Sequence, residues 1–298
     1  MEYVSKESLQ KAISKAIEIS YNTYGQCCSR EQALASDFLT KNTLVALTIW
    51  NIINFPEIKE IPKINEKITV FDFPSAYVLI RSMYEAYINM NYVIINPDSD
   101  EERALRMNLW DRHALYEKRK MADFIGSKYS RRVEIEKQIK NVTKSIKASP
   151  ILKTVDKCKQ DSFVNTENWT KLKVPELSDR ANIHRSFSDF IYKFLSNYSH
   201  SYAYSLDQVH AYNSPADGPF IRRLLMGFTE MYLSLTLSLF IGLFPSARTM
   251  IDKDKELLEK IDFWKNLKTL DMKAWLSNNG NRYRGRDPLG NGSAPTRQ

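Results

Sequence analysis

The side chains best suited to chemistry fall on two stretches. In Tyr192-Lys-Phe-Leu-Ser196-Asn-Tyr-Ser-His200 a phenol, a hydroxyl and an imidazole recur at every fourth residue, so one face of one helix presents all three polar heads. In Arg81-Ser-Met-Tyr-Glu85 an arginine and a glutamate stand at the same spacing on an otherwise apolar segment. A histidine titrates near neutrality and can accept or donate a proton, and an arginine can hold a phosphate through paired hydrogen bonds. Charge on an apolar helix is costly unless it is paired, and polar heads there need partners. The two faces are therefore expected to meet, with Arg81, Glu85, Tyr192, Ser196 and His200 as the candidate catalytic set. His200 is then the acid or base, Arg81 the phosphate holder and Glu85 the group that orients one of them, while Tyr192 and Ser196 donate hydrogen bonds.

The elements that must position these residues are helices. Nine glycines and eleven prolines in 298 residues leave few breaks. Leu9, Ala12, Ile13, Ala16 and Ile17 follow an amphipathic helical period that Gly25 would end. Ser29-Arg-Glu-Gln32 reads as a capping box for a second helix reaching Asn54, and residues 57–71 read as an extended connector. Asp72 caps a third helix, apolar nearly all round, that Asn96-Pro97 ends. Ser99-Asp-Glu-Glu102 opens a helix that runs to about Gly126. Asp161 to Glu176 is polar and irregular with Trp169 isolated in it, and the helix carrying Tyr192 begins near Ser178 as its cap. Phe228 to Phe244 is too short and too interrupted by Glu230, Ser234, Thr236 and Ser238 for a bilayer span, so it reads as a buried central helix. Pro245 stops it, and Ile251, Leu257, Leu258, Ile261 and Trp264 form the inner face of a last helix. The expected architecture is all-α: a single domain over residues 1–270, a bundle of about eight helices with a protruding basic helical hairpin near 118–159. A basic tail, 271–298, is expected to be disordered.

Charge sharpens the expectation of a partner. The chain carries a net charge of +8, and between Lys118 and Lys159 thirteen Lys and Arg face four Asp and Glu, a local +9. The excess therefore sits on one arm, where each phosphate contact adds salt-dependent affinity. Lys128, Arg131, Arg132, Lys137, Lys140 and Lys144 are the candidate nucleic-acid contacts, RNA before DNA. Three cysteines cannot all pair, Cys27 and Cys28 are adjacent, and no zinc spacing is present. Neither a Gly-rich phosphate loop, a Gly-x-Ser-x-Gly elbow, a His-Glu-x-x-His helix nor a kinase signature occurs. No metal, no cofactor and no membrane partner is expected, and the charged segment Met1 to Glu18 lacks a secretory signal's apolar run, which points to the cytoplasm. An alternative catalytic pair is Arg106 and His113, in an Arg-x6-His spacing.

The ordered set Arg81-x3-Glu85, then Trp169, then Tyr192-x3-Ser196-x3-His200 resembles a widespread prokaryotic family known only as a domain of unknown function, over roughly residues 70–245. The resemblance implies a helical protein, encoded beside mobile-element and phage-defence genes, with these residues as its site. A more distant similarity is to the HEPN ribonucleases, helical bundles that dimerise and pool Arg and His to cleave RNA without metal. Here it is Arg106 and His113 that carry the matching spacing, whereas His200 follows Ser196 and Lys193. The expected function is a cytoplasmic phage-defence or toxin-type effector acting on RNA, a metal-independent ribonuclease working as a homodimer. The alternative is a non-catalytic nucleic-acid- or protein-binding module of a defence or mobile-element system, with an operon partner. The first is an enzyme and the second is not, and the residues leave that choice open.

Overall fold

The computed structural model describes residues 4–26, 28–54, 57–61, 66–126, 129–200, 202–211 and 218–271. In chain order the elements are α1 (Lys6–Thr23), α2 (Arg30–Asn54), β1 (Glu57–Ile61), β2 (Glu66–Val70), α3 (Phe73–Met90) and a π-helical turn (Asn91–Ile95). There follow α4 (Asp100–Phe124), α5 (Tyr129–Ala148), α6 (Pro150–Thr154), α7 (Lys157–Val164) and α8 (Val174–Arg180). The chain closes with α9 (Arg185–Ser199), α10 (Ala203–Ala211), α11 (Gly218–Leu243), α12 (Pro245–Asp252) and α13 (Lys255–Leu267). These elements form two compact units, one built from the chain up to Ile88 and from Asn182 onward, the other from Asn89 to Ala181.

In the first unit the helix ends follow the capping chemistry written in the sequence. Gly25, past the end of α1, takes a φ of 76°, in the left-handed region that a residue without Cβ enters without strain. Gln32 N–H donates to Ser29 Oγ at 3.3 Å and Ser29 N–H to Gln32 Oε1 at 2.9 Å, the reciprocal pair that opens α2. Asp72 Oδ1 accepts from Ser75 N–H at 3.2 Å, which starts α3. The centre of the unit is α11, whose Leu225, Thr229, Tyr232, Leu233, Thr236 and Phe240 are all buried. It packs against α1, α2, α12 and α13, where Ala12, Ala16, Ala35 and Ala46 are buried and leave room for the larger side chains. Among the described residues α11 is the one helix long and apolar enough to cross a membrane, and 67% of its most apolar window is buried in this core. Two polar pairs are locked into the packing. Asn42 Nδ2 donates to Thr236 Oγ1 at 2.8 Å, and Ser8 Oγ donates to the fully buried Glu230.

The second unit is organised on an antiparallel pair, α4 and α5. Leu115 and Ala122 meet Ile135 and Ile139 in one cluster, and Leu105 and Leu109 meet Ile146 and Leu152 in another. Trp169 sets its ring edge-on to Trp110 at 4.8 Å and to Tyr92 at 5.8 Å. The residue that stands alone in the sequence is thus an anchor for the irregular segment around it.

Three expectations are corrected. The bundle of about eight helices is a fold of thirteen α-helices among the described residues. The five unforeseen ones, α6, α7, α8, α10 and α12, have nine residues or fewer, too few turns to show a helical period above the noise of composition. The extended connector is a β-hairpin in which Glu57 pairs with Val70 and Ile61 with Glu66; its β-branched Ile58, Ile61, Ile68, Thr69 and Val70 suit a strand. Ser178 does not cap the helix that carries Tyr192. It lies inside α8 with its hydroxyl on the Val174 carbonyl at 2.8 Å, Asn182 breaks the chain at a φ of 54°, and His184 caps α9 by accepting from Ser186 N–H at 3.2 Å. The basic tail from residue 272 and Lys128 lie outside the described residues.

Candidate active site on the face shared by α3 and α9

Within the first unit, α3 and α9 meet along an aromatic seam. Tyr77 lies 4.9 Å from Phe194 and 4.6 Å from Tyr198 between ring centroids, and Tyr84 lies 6.5 Å from Tyr192. Rising numbers on α3 meet falling numbers on α9, so the helices run antiparallel. Inside the seam the Tyr84 hydroxyl and Ser188 Oγ share a hydrogen bond of 3.1 Å, which satisfies two buried polar groups at once.

At the rim of this seam four of the five expected residues converge. Arg81 Nε donates to Glu85 Oε1 at 2.9 Å. Its Nη1 reaches His200 Nε2 at 3.4 Å and its Nη2 reaches the Tyr192 hydroxyl at 3.4 Å. The guanidinium carbon sits 5.1 Å from the centre of the Tyr192 ring, a cation–π distance. A guanidinium can only donate, so this contact is a hydrogen bond only in the tautomer whose Nε2 accepts. The Arg81 side chain is 16% exposed and that of Glu85 38%, while His200 is open to solvent at the C-terminal cap of α9. The arginine is therefore fixed by one short bond and touched by two at the limit of hydrogen bonding, where little energy holds them.

Ser196 does not join this cluster. Its Oγ donates to the Tyr192 backbone carbonyl at 2.6 Å, the back-bonding that a serine inside a helix adopts when no outside acceptor competes. Two residues that belong to the same face escaped the sequence reading, Tyr84 and Ser188. The signal was present: the four-residue spacing runs unbroken through His184, Ser188, Tyr192, Ser196 and His200. Each such step over-rotates by about 40° on a helix of 3.6 residues per turn, so the stripe winds from the buried Ser188 to the exposed His200.

Near the start of α9 a second polar group forms. Ser186 Oγ lies 2.9 Å from His184 Nδ1 and donates to Asp271 Oδ1 at 2.9 Å. Lys268 Nζ donates to the Tyr87 hydroxyl at 3.0 Å. Burial brings the Lys268 ammonium down to about 8, with the neighbouring Lys265 adding to the shift, and burial pushes the Tyr87 phenol upward. The His184 N–H donates to the Lys268 carbonyl at 2.7 Å, so these contacts also tie α9 to the end of α13.

In the second unit the alternative pair is committed elsewhere. Arg106 is buried, with Nη1 on the Tyr92 carbonyl at 2.6 Å, Nη2 on Glu102 Oε1 at 2.5 Å, and its guanidinium 4.0 Å from the Tyr92 ring centre. His113 Nδ1 lies 2.9 Å from the Glu167 carbonyl. Between them Arg112, unmentioned by any motif, is 1% exposed and donates to the carbonyls of Phe163, Val164 and Thr166 at 2.6, 2.8 and 2.9 Å. It closes the C-terminal end of α7, whose last carbonyls have no helical partner. On α5, Arg131, Arg132, Lys137, Lys140 and Lys144 are exposed. Arg132 pairs with Asp123 at 3.5 Å, whereas Lys137, Lys140 and Lys144 have no carboxylate partner among the described residues. Nor, among the described residues, do three His, Cys, Asp or Glu side chains group so as to hold a metal ion.

A family model described as a family of unknown function, DUF5677, matches residues 71–219, half of the chain. The matched segment holds Arg81, Glu85, Trp169, Tyr192, Ser196 and His200, and it ends short of the residue 245 expected from the sequence. No curated protein and no solved structure matches the chain.

Proposed function

The chain belongs to the DUF5677 family of unknown function, and from the α3–α9 face we propose that it is a cytoplasmic effector of the phage-defence or toxin type that cleaves RNA. The observation that carries this reading is the contact of Arg81 with Glu85, Tyr192 and His200. A phosphodiester entering at the guanidinium exchanges the two long contacts for charge-assisted hydrogen bonds, which are shorter and stronger. That frees the His200 Nε2 lone pair beside the phosphate. There it takes the proton of the ribose 2′-hydroxyl while the 2′-oxygen attacks phosphorus. The bond from phosphorus to the 5′-oxygen breaks, the leaving oxygen takes a proton from water, and a 2′,3′-cyclic phosphate remains. Arg81 and the Tyr192 hydroxyl face the charge that grows on the non-bridging oxygens, the place where fixed donors lower a barrier most. Glu85 keeps the arginine in register. The defence setting rests on the resemblance, the chemistry on the geometry.

Incubation of the purified chain with total RNA and tRNA, with and without EDTA, tests the reading. The expected result is cleavage that EDTA does not change, that His200→Ala abolishes and that His113→Ala leaves intact, with all three proteins melting alike. Loss only in His113→Ala moves the site to α4. The exposed, unpaired lysines of α5 favour a second reading, a nucleic-acid-binding module without chemistry; salt-sensitive RNA binding with no cleavage by any form would establish it in place of the first.

A further inference from the structure

Outside the α3–α9 face, the first unit holds a cavity of about 450 Å³. It lies where the first turns of α1 and α11 approach the last turn of α2. Three cations line it, Lys6, Arg222 and Arg223, and its apolar wall is made by Ile53, Pro219 and Met226. Ile53 and Met226 are buried at its base, while Lys6 and Arg223 are exposed at its mouth. Like charges brought together around a cavity repel one another unless an anion joins them. Among the described residues no carboxylate forms an ion pair with any of the three. Arg222 stacks its guanidinium on Phe71, 4.7 Å from the ring centre. Its Nε is buried and has no hydrogen-bond partner among the described residues, a donor left unsatisfied in a place where such donors are normally paired. The positive ends of α1 and α11 add to the same field.

We propose that this cavity is a binding site for a phosphorylated small molecule of nucleotide size. Its phosphates lie against Lys6, Arg222 and Arg223, and its apolar part rests on Ile53 and Met226. The volume falls in the range of small-ligand pockets. Three cations beside one apolar wall suit a ligand that gathers several negative charges at one end, and an arginine fork can grip each phosphoryl group in turn. The site is independent of the ribonuclease reading, since none of its lining residues belongs to the α3–α9 cluster.

The test is calorimetric titration of the full chain with ATP, inorganic triphosphate, adenosine and a single-stranded RNA 12-mer. Lys6→Gln and Arg223→Gln, both at exposed positions, are compared with the parent protein, and the melting temperatures of the unliganded proteins are recorded. The expected result is saturable, one-to-one binding of ATP, tighter than triphosphate, with adenosine weakest. Each variant weakens ATP binding by about tenfold, the loss expected for one charge-assisted contact, with no change in melting temperature. Arg222→Lys, which keeps the charge and loses the fork, weakens it as well. Absence of saturable ATP binding, or ATP binding that Lys6→Gln and Arg223→Gln leave unchanged, overturns the site. Triphosphate binding as tight as ATP overturns the assignment of the apolar wall. Binding of the 12-mer alone shows that the phosphates recognised belong to RNA, and overturns the small-ligand proposal.

Discussion

At Arg81 the guanidinium has three partners but only one at short range. The order of the pair, arginine four residues before glutamate, is the less favourable one for helix stability, and a partly exposed i,i+4 pair contributes about 0.5 kcal/mol. Arg81→Lys is accordingly expected to lower the melting temperature by about 2 °C or less, yet to reduce RNA cleavage about a hundredfold, because a point charge cannot replace a fork at a phosphate. Side-by-side melting curves and cleavage rates check this. A different residue governs pH behaviour. Burial pushes the carboxyl of Glu230 up, against the pull of Ser8, Lys260 and Trp264. The folded state therefore keeps its proton to higher pH than the unfolded chain does, and the stability this lends is present in acid and lost as pH rises through the raised value. Glu230→Gln, which keeps an acceptor for Ser8, is expected to raise stability at pH 8 by about 1 kcal/mol and to change little at pH 4, read from urea denaturation at the two values. The sequence made Arg81, Glu85, Tyr192 and His200 legible because residue spacing on a helix is geometry. It did not reveal that Ser196 turns back onto its own helix, since a serine hydroxyl chooses among acceptors only when the neighbours are in place.

At the scale of elements, the long helices were readable from their caps and apolar periods, and the short ones were not. The C-terminal end of α7 depends on a side chain that comes from elsewhere in the chain, as Arg112 shows by holding three carbonyls beyond its own helix. No local pattern encodes such a clamp. Arg112→Ala leaves those carbonyls without their charged donor in a buried place and is expected to destabilise the second unit by about 3 kcal/mol, seen as a lower denaturation midpoint for probes at Trp110 and Trp169. The exposed face of α5 behaves in the opposite way. Lys137, Lys140 and Lys144 stand on one helical face, so reversing them to glutamate costs the fold little. If they touch single-stranded RNA phosphates, the slope of log affinity against log salt falls by about 2 in the triple variant, while cleavage at saturating RNA persists. Affinity measured at several salt concentrations decides this.

Over the whole molecule, the net charge of +8 is smaller than the +9 gathered between Lys118 and Lys159. The arm that carries this excess lies in one compact unit, and the Arg81–His200 cluster lies in the other. Composition alone could separate the charged arm from the rest, but it could not reveal the cavity where Lys6, at the start of the chain, meets the adjacent Arg222 and Arg223 far along it. Recruitment and chemistry are in this account different jobs of different parts. The chemistry itself leaves a signature in its products. Attack by the 2′-oxygen yields fragments ending in a 2′,3′-cyclic phosphate with 5′-hydroxyls on their neighbours, and it cannot occur where the 2′-oxygen is methylated. The most direct measurement is therefore the end chemistry of an RNA oligonucleotide and its 2′-O-methyl counterpart after incubation with the chain and with His200→Ala. Cyclic-phosphate ends are expected from the first substrate, none from the second, and none from the variant. Fragments bearing 5′-phosphates, cleavage of the methylated strand, or cleavage by His200→Ala equal to that of the parent would contradict this chemistry.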